Sequence, residues 1–163
     1  MSDYRIITDS TADLSPKLIE ELDITVIPMT FILGGKEYKN YPDEHDISNK
    51  NFYANLRDGK TSTTNQITTV QFEETFEPFL QQGLDVLYIG FSSGLSGTFN
   101  SSLLAVEELQ KKYPDRKIIS VDSLAASMGE GLLVYDAVQQ KRAGLDIEQL
   151  ARWVEDNRNR RCV

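Results

Sequence analysis

Leu84-Asp85-Val86-Leu87-Tyr88-Ile89-Gly90-Phe91-Ser92-Ser93-Gly94-Leu95-Ser96-Gly97-Thr98 is the stretch that decides how this chain folds. Its first half is a short apolar run rich in β-branched and aromatic residues, which reads as a strand over 86–91. Its second half is a loop of hydroxyls and glycines. That loop enters a helix whose apolar face is Phe99, Leu103, Val106 and Leu109. It offers backbone N–H and side-chain O–H groups to an anion at the positive end of a helix dipole. It holds no Lys, Arg, His or Cys. Such a loop points to recognition of a carboxylate or phosphate rather than to chemistry on it.

Working downstream, Pro114-Asp115 breaks the helix, and 117–121 reads as the next strand, ending at Asp122-Ser123. A helix follows through Leu132, Leu133, Tyr135 and Val138 and stops at Gly144. The last helix carries Ile147, Leu150, Trp153 and Val154. Upstream, Phe72, Phe76, Phe79 and Leu80 form a helical stripe, which reads as core. It is preceded by a polar loop over 59–66. Ser48 reads as the N-cap of a helix carrying Phe52, Tyr53 and Leu56, after a loop over 43–46. At the start, 4–8 reads as a strand, Asp9 to Asp13 as a polar turn, and Leu14, Leu18, Ile19 and Leu22 as one face of a helix with Pro16 in its first turn. One strand is expected over 24–33, with Gly34-Gly35 as a hairpin turn and 36–39 as its return. The alternation of strand and helix predicts an α/β fold, a mostly parallel sheet with helices on both faces and right-handed crossovers. Strand order is left open.

The chain has 163 residues, 40% hydrophobic and 26% charged, enough for one domain with a real core. Its net charge of −8 makes it a poor match for nucleic acid and for anionic membranes. Cys162 is the single cysteine, so no internal disulfide forms and a cytoplasmic setting fits. One Cys and one His, His45, cannot assemble a metal cluster, so no metal is expected. The run from Tyr4 reads as a strand rather than a signal peptide, and no apolar run reaches membrane-spanning length.

Three polar loops directly follow strands: Asp9 to Thr11, Ser92 to Thr98, and Asp122-Ser123. In parallel sheets ligands sit beyond the carboxyl ends of the strands, so these loops would converge on one edge. The plainer reading of each is local: Ser and Thr cap helices, Gly suits tight turns, and Asp9 and Asp122 cap turns or orient neighbouring hydroxyls. Gly94-Leu95-Ser96-Gly97-Thr98 nearly matches a nucleophile elbow, but its fifth residue is Thr and the only histidine lies in an acidic segment. No Walker or dinucleotide fingerprint is present. Lys60 to Asn65, taken alone, is a solvated loop. Arg158, Arg160 and Arg161 sit in a last helical turn, where cations favour the dipole.

Several segments, in order, resemble the DegV family. Ile7-Thr8-Asp9-Ser10-Thr11-Ala12-Asp13-Leu14 resembles its opening motif. Thr61-Ser62 lies where the family carries a "TSQPS" loop. Ser92 to Ser101 is similar to its "SSGLSGTYQSA" segment, and Val121-Asp122-Ser123 with Met128-Gly129-Glu130-Gly131 to its "DS…S.G.G" segment. The resemblance implies a fatty-acid-binding protein of the FakB type, a carrier rather than an enzyme, without cofactor. Such a protein presents a long-chain fatty acid to a separate kinase subunit, which makes the acyl phosphate for phospholipid synthesis. It implies that Thr61 and Ser93 hold the carboxylate, with Ser62, Ser92 and Gly94 as neighbours and Asp9, Ser10, Asp122 and Ser123 behind them. Thr63-Thr64 stand where the family has Gln-Pro. The resemblance also implies that 1–163 is the first of two domains. The second would complete the acyl tunnel and supply an Arg and a His near the head group, leaving apolar surface exposed on the first. Two other readings stay open: a phosphate-handling enzyme using the same loops, and a folded half-protein that holds no ligand.

Overall fold

The computed structural model describes residues 3–160; the readings made on Met1-Ser2, Arg161 and Cys162 lie outside them. In chain order the elements are β1 (Tyr4–Asp9), α1 (Pro16–Leu22), β2 (Thr25–Ile27), β3 (Thr30–Leu33), β4 (Lys36–Lys39), α2 (Asn49–Arg57), β5 (Ser62–Asn65), α3 (Thr69–Gln81), β6 (Asp85–Gly90), α4 (Thr98–Lys112), β7 (Ile118–Asp122), α5 (Ser127–Arg142) and α6 (Ile147–Asn157). Short 3-10 turns follow β1 at Ser10–Ala12 and α6 at Arg158–Arg160.

The main sheet is parallel, in the order β2-β1-β6-β7. Both of its faces are covered, so its strands carry apolar residues in both directions. On one face Ile6, Leu87, Ile89 and Val121 meet Leu133, Val134, Leu150 and Val154 of α5 and α6, together with Leu22 of α1. On the other, Ile7, Val86, Tyr88 and Ile118 meet Phe72, Phe76 and Leu80 of α3 and Ala105 and Leu109 of α4. The α/β expectation, with helices on both faces, holds. Chain order reverses at β1: β2 lies on one side of it, β6 and β7 on the other. The β1–β6 seam is therefore the switch point where open α/β sheets bind ligands.

Local chemistry sets most boundaries as expected. Pro16 lies in the first turn of α1 as expected, and Ser15, not named from the sequence, caps it through Leu18 N–H. Ser48 caps α2 through Asn51 N–H. Gly34 and Gly35 have φ of 57° and 84°, the pair of positive angles that a two-residue hairpin with the twist of its strands requires.

Two expectations are corrected. The single strand over 24–33 is two strands in different sheets, broken at Pro28-Met29. Pro28 has no N–H to donate, and Met29 N–H goes to Ser10 Oγ at 2.9 Å instead of to a ladder. The polar loop over 59–66 contains β5, which pairs antiparallel with β3 and completes a second sheet, β4-β3-β5. Helix α2 packs on this small sheet, with Phe52 edge-on to Phe31 at 5.4 Å. Among the described residues, no helix is long and apolar enough to cross a membrane.

Candidate functional site

A cavity of about 510 Å³ lies between the ends of β1 and β2, the small sheet and α2. That volume suits a small-molecule ligand. Leu14, Val26, Met29, Phe31, Ile47 and Phe52 give it an apolar wall, and Ser10, Asn40, Ser62 and Thr64 supply hydroxyl and amide groups. No Lys, Arg or His lines it, whereas Asp9, Asp13 and Glu44 do. The charged side chains at this wall are thus all carboxylates, and the neutral hydroxyls and amide beside them are the groups that could accept or donate to a ligand's polar end.

The register of β5 explains which hydroxyls reach it. Phe31 faces Thr64 and Leu33 faces Ser62. Side chains two apart share a face of a strand, so Ser62 and Thr64 stand with Phe31 and Leu33, and a one-residue step reverses the direction. Thr61, one residue before Ser62, is exposed, and its carbonyl accepts the Gly34 N–H at 3.0 Å. It belongs to the hairpin end of the small sheet. The other end of β5 is tied to the Ser92–Thr98 loop. Ile67 N–H donates to Thr98 Oγ1 at 3.2 Å, and Gln66 Nε2 to Ser101 Oγ at 3.4 Å. A Cβ on Gly97 would lie 2.2 Å from Gln66 Oε1, so the glycine is what admits this approach.

The remaining expected residues hold the loops beyond β6 and β7. Ser92 is buried, its Oγ accepting Gly94 N–H at 3.3 Å. Ser93 and Gly94 are exposed, and Ser93 N–H donates to Asp122 Oδ1 at 3.2 Å. Asp122 Oδ1 also accepts Leu124 N–H at 2.9 Å. Ser123 is fully buried, with its N–H on Gly90 O and its Oγ exchanging bonds with Ala125. Ser10 Oγ accepts Met29 N–H and Asn40 Nδ2. The cavity thus gathers Asp9, Ser10 and Ser62 of the expected set, while Thr61, Ser92, Ser93, Gly94, Asp122 and Ser123 are not part of its wall.

Beneath these loops lies a network of which the sequence reading singled out Asp9, as an acceptor for neighbouring hydroxyls, but not Tyr88 or Glu130. Asp9 is fully buried at the seam. Its Oδ1 accepts Thr11 N–H at 3.0 Å and lies 2.5 Å from Thr11 Oγ1. Its Oδ2 accepts Tyr88 Oη at 2.6 Å and Phe91 N–H at 3.1 Å. One carboxylate therefore joins the β1 turn to the first residue of the loop after β6. Thr11 Oγ1 also lies 2.8 Å from Glu130 Oε2, and Thr8 Oγ1 donates to Glu130 Oε1 at 3.1 Å, which brings α5 into the same cluster. Burial, then the neighbouring Asp9 charge, pushes the Glu130 carboxyl and the Tyr88 phenol well above their ordinary values. The plainer reading of Asp9 as a turn cap is correct as far as it goes, since Asp9 caps the Ser10–Ala12 turn. Arg158, read from sequence as complementing a helix dipole, also reaches this edge, its Nη1 donating to Asp122 O at 2.8 Å.

Sequence and structure comparisons agree on one family. The family described as "Uncharacterised protein, DegV family" matches residues 3–163. A DegV domain-containing protein of Clostridium perfringens is 44% identical over 162 residues, which is 99% of this chain and 55% of that protein. One from Lactococcus lactis is 39% identical over 94% of this chain and 53% of its own length. The chain thus spans about half the length of the curated relatives it matches. Among solved structures, a DegV family protein from Thermus thermophilus described for fatty acid binding superposes with a TM-score of 0.84, at 31% identity, over 98% of this chain and 54% of that one. A stearic-acid-binding protein from Eubacterium ventriosum gives 0.84 at 27% identity, over 93% and 52%.

Proposed function

This chain belongs to the DegV family, and from that premise we propose that it binds a long-chain fatty acid and presents the carboxylate to a separate fatty acid kinase subunit for acyl-phosphate formation and phospholipid synthesis. The observation that carries the reading is the cavity, whose apolar wall has no cation in it. The tail lies against Val26, Met29, Phe31 and Phe52, and the head group points towards the hydroxyl-rich edge. Each buried methylene contributes about 0.8 kcal/mol, so the tail supplies most of the affinity. Hydroxyl bonds to a carboxylate, worth roughly 1.5–3 kcal/mol each, set its direction.

Ser93 and Thr61 were expected from the family resemblance to hold the carboxylate. The β5 register supports Thr64 as the hydroxyl of that strand, because it shares a face with Ser62 and lies at the end tied to the Ser92–Thr98 loop. In this reading the protein is a carrier, and the transfer of phosphate belongs to its partner. Purified protein extracted with organic solvent and analysed by mass spectrometry releases a fatty acid. Phosphoryl transfer to it from ATP needs added kinase subunit. Turnover of a phosphorylated substrate by the isolated chain would instead favour the phosphate-handling alternative.

Helix α5 supports a place for the remainder of a relative-length protein. One of its sides is core, yet Met128, Leu132 and Tyr135, spaced as one stripe, are exposed together with Leu124 and Leu95 on the neighbouring loops. Exposed large apolar side chains clustered in this way are the kind of surface an interface covers. We place the second domain of the family there, packed over the stripe and closing the head-group edge.

A further inference from the structure

The cluster of Thr8, Asp9, Thr11, Tyr88 and Glu130 contains two buried carboxyl groups and a countable set of protons. Asp9 has four donors around it: Thr11 N–H, Thr11 Oγ1, Tyr88 Oη and Phe91 N–H. Without the Thr11 hydroxyl its oxygens still accept two backbone N–H groups and the Tyr88 hydroxyl, three donors that favour placing the negative charge of the pair there. Glu130 differs. Its Oε1 accepts from Thr8, but its Oε2 faces only Thr11 Oγ1 at 2.8 Å. A threonine hydroxyl carries one hydrogen. Thr11 spends it on Asp9 Oδ1, the closer contact at 2.5 Å. The Thr11–Glu130 contact then holds a hydrogen only if Glu130 provides it.

We infer that Glu130 stands as a neutral carboxylic acid that donates through Oε2 to Thr11, leaving one negative charge between the two carboxyl groups of this cluster and making Glu130 a positioning residue for the loops that carry Ser10 and Ser92. The protons balance: Glu130 O–H to Thr11 Oγ1, Thr11 O–H to Asp9 Oδ1, and Thr8 O–H to Glu130 Oε1. The ionisable groups acting on Glu130 are all acids: Asp9 on β1, Asp13 beyond the 3-10 turn, and Tyr88 on β6. An ionised Glu130 would put a second buried negative charge beside Asp9, with Thr11 unable to donate to both. A neutral one ties α5 to β1 and keeps charge off the edge where an anionic head group is proposed to dock. That last consequence rests on the lipid-binding reading; the protonation state does not.

Two measurements on ligand-free full chain test the inference without reference to lipid. The first is infrared spectroscopy at neutral pH with isotope-labelled glutamate. It should show the carbonyl band of a protonated acid, lost in Glu130→Gln. A wild-type spectrum without that band overturns the proposal. The second is urea unfolding followed from pH about 5 to about 9, spanning the range above the ordinary glutamate value. Glu130 binds its proton more tightly folded than unfolded. Its contribution is complete below the unfolded value and is lost as pH rises towards the folded one. Wild type should therefore lose stability with rising pH relative to Glu130→Gln, whose amide reproduces both bonds of the neutral acid. Parallel pH profiles, or a Glu130→Gln protein that fails to fold, contradict it.

Discussion

Tyr88 donates its phenolic hydrogen to Asp9 Oδ2 over 2.6 Å, with both side chains fully buried. A residue in the middle of one parallel strand thus satisfies a carboxylate at the end of its neighbour, directly under the loops of the candidate site. Removing the hydroxyl leaves a buried charge one donor short. Tyr88→Phe is expected to cost about 1–3 kcal/mol in urea unfolding while the ring packing against Phe72 and Phe76 persists. A variant as stable as wild type would show that Asp9 does not depend on this bond.

Gly131 is a close-approach glycine. A Cβ there would lie 2.5 Å from Ala12 O and 3.0 Å from Leu14 Cδ2. The first neighbour is backbone, which cannot rotate aside. Gly131→Ala is expected to lower the unfolding free energy by about 1–3 kcal/mol, the usual range for overpacking, by pushing α5 off the turn. Gly35→Ala makes the control, since no atom lies within 4 Å of its added Cβ; any cost there comes from its positive φ alone.

Tyr4 gives a pH prediction at the other end of the strand. Burial first, and then the charges of Asp146 and Asp3, push its phenol up from 10.0 to about 12. Its hydroxyl donates to Leu145 O at 2.8 Å. As an acid whose folded value is raised, Tyr4 contributes stability that is complete below pH 10 and disappears as pH climbs towards 12. Over that window wild type should lose stability faster than Tyr4→Phe; parallel curves would contradict the assignment.

The head-group hydroxyls can be separated by single substitutions. Thr64→Val and Ser93→Ala are each expected to weaken palmitate binding by roughly 1.5–3 kcal/mol, the worth of a bond to a charged group. Thr61→Val tests the position expected from the family resemblance. The register predicts a smaller effect for it than for Thr64→Val, and calorimetric titration ranks the three. A larger loss at Thr61 would restore the original assignment.

The parallel sheet was legible because β6 is apolar on both faces and runs straight into glycine and hydroxyls, a signal that survives without any partner in view. The hairpin at Gly34-Gly35, Pro16 in the first turn of α1 and the cap at Ser48 were equally local. The small sheet was not. Ser62-Thr63-Thr64-Asn65 has no apolar residue to alternate, and the buried side chains it pairs with, Phe31 and Leu33, belong to β3. The break at Pro28-Met29 was visible in the proline, but that Met29 N–H turns to Ser10 depends on a contact nineteen residues away. Of the site, the hydroxyl loops were readable as loops. The face that each hydroxyl takes was not, because strand parity decides it. Glu130 lay inside a family-like motif, a charged residue between two glycines in the first turns of α5. Its meaning came only with Asp9 and Thr11 beside it.

The cavity between β1, β2, the small sheet and α2 is the place proposed for the acyl tail. A palmitate analogue with a photoreactive diazirine near its tail end, cross-linked to the protein and mapped by peptide mass spectrometry, tests it directly. The account predicts saturable adducts, displaced by unlabelled palmitate, on Val26, Met29, Phe31 or Phe52. Adducts confined to the exposed stripe of Met128, Leu132 and Tyr135, or labelling that does not saturate, would contradict it.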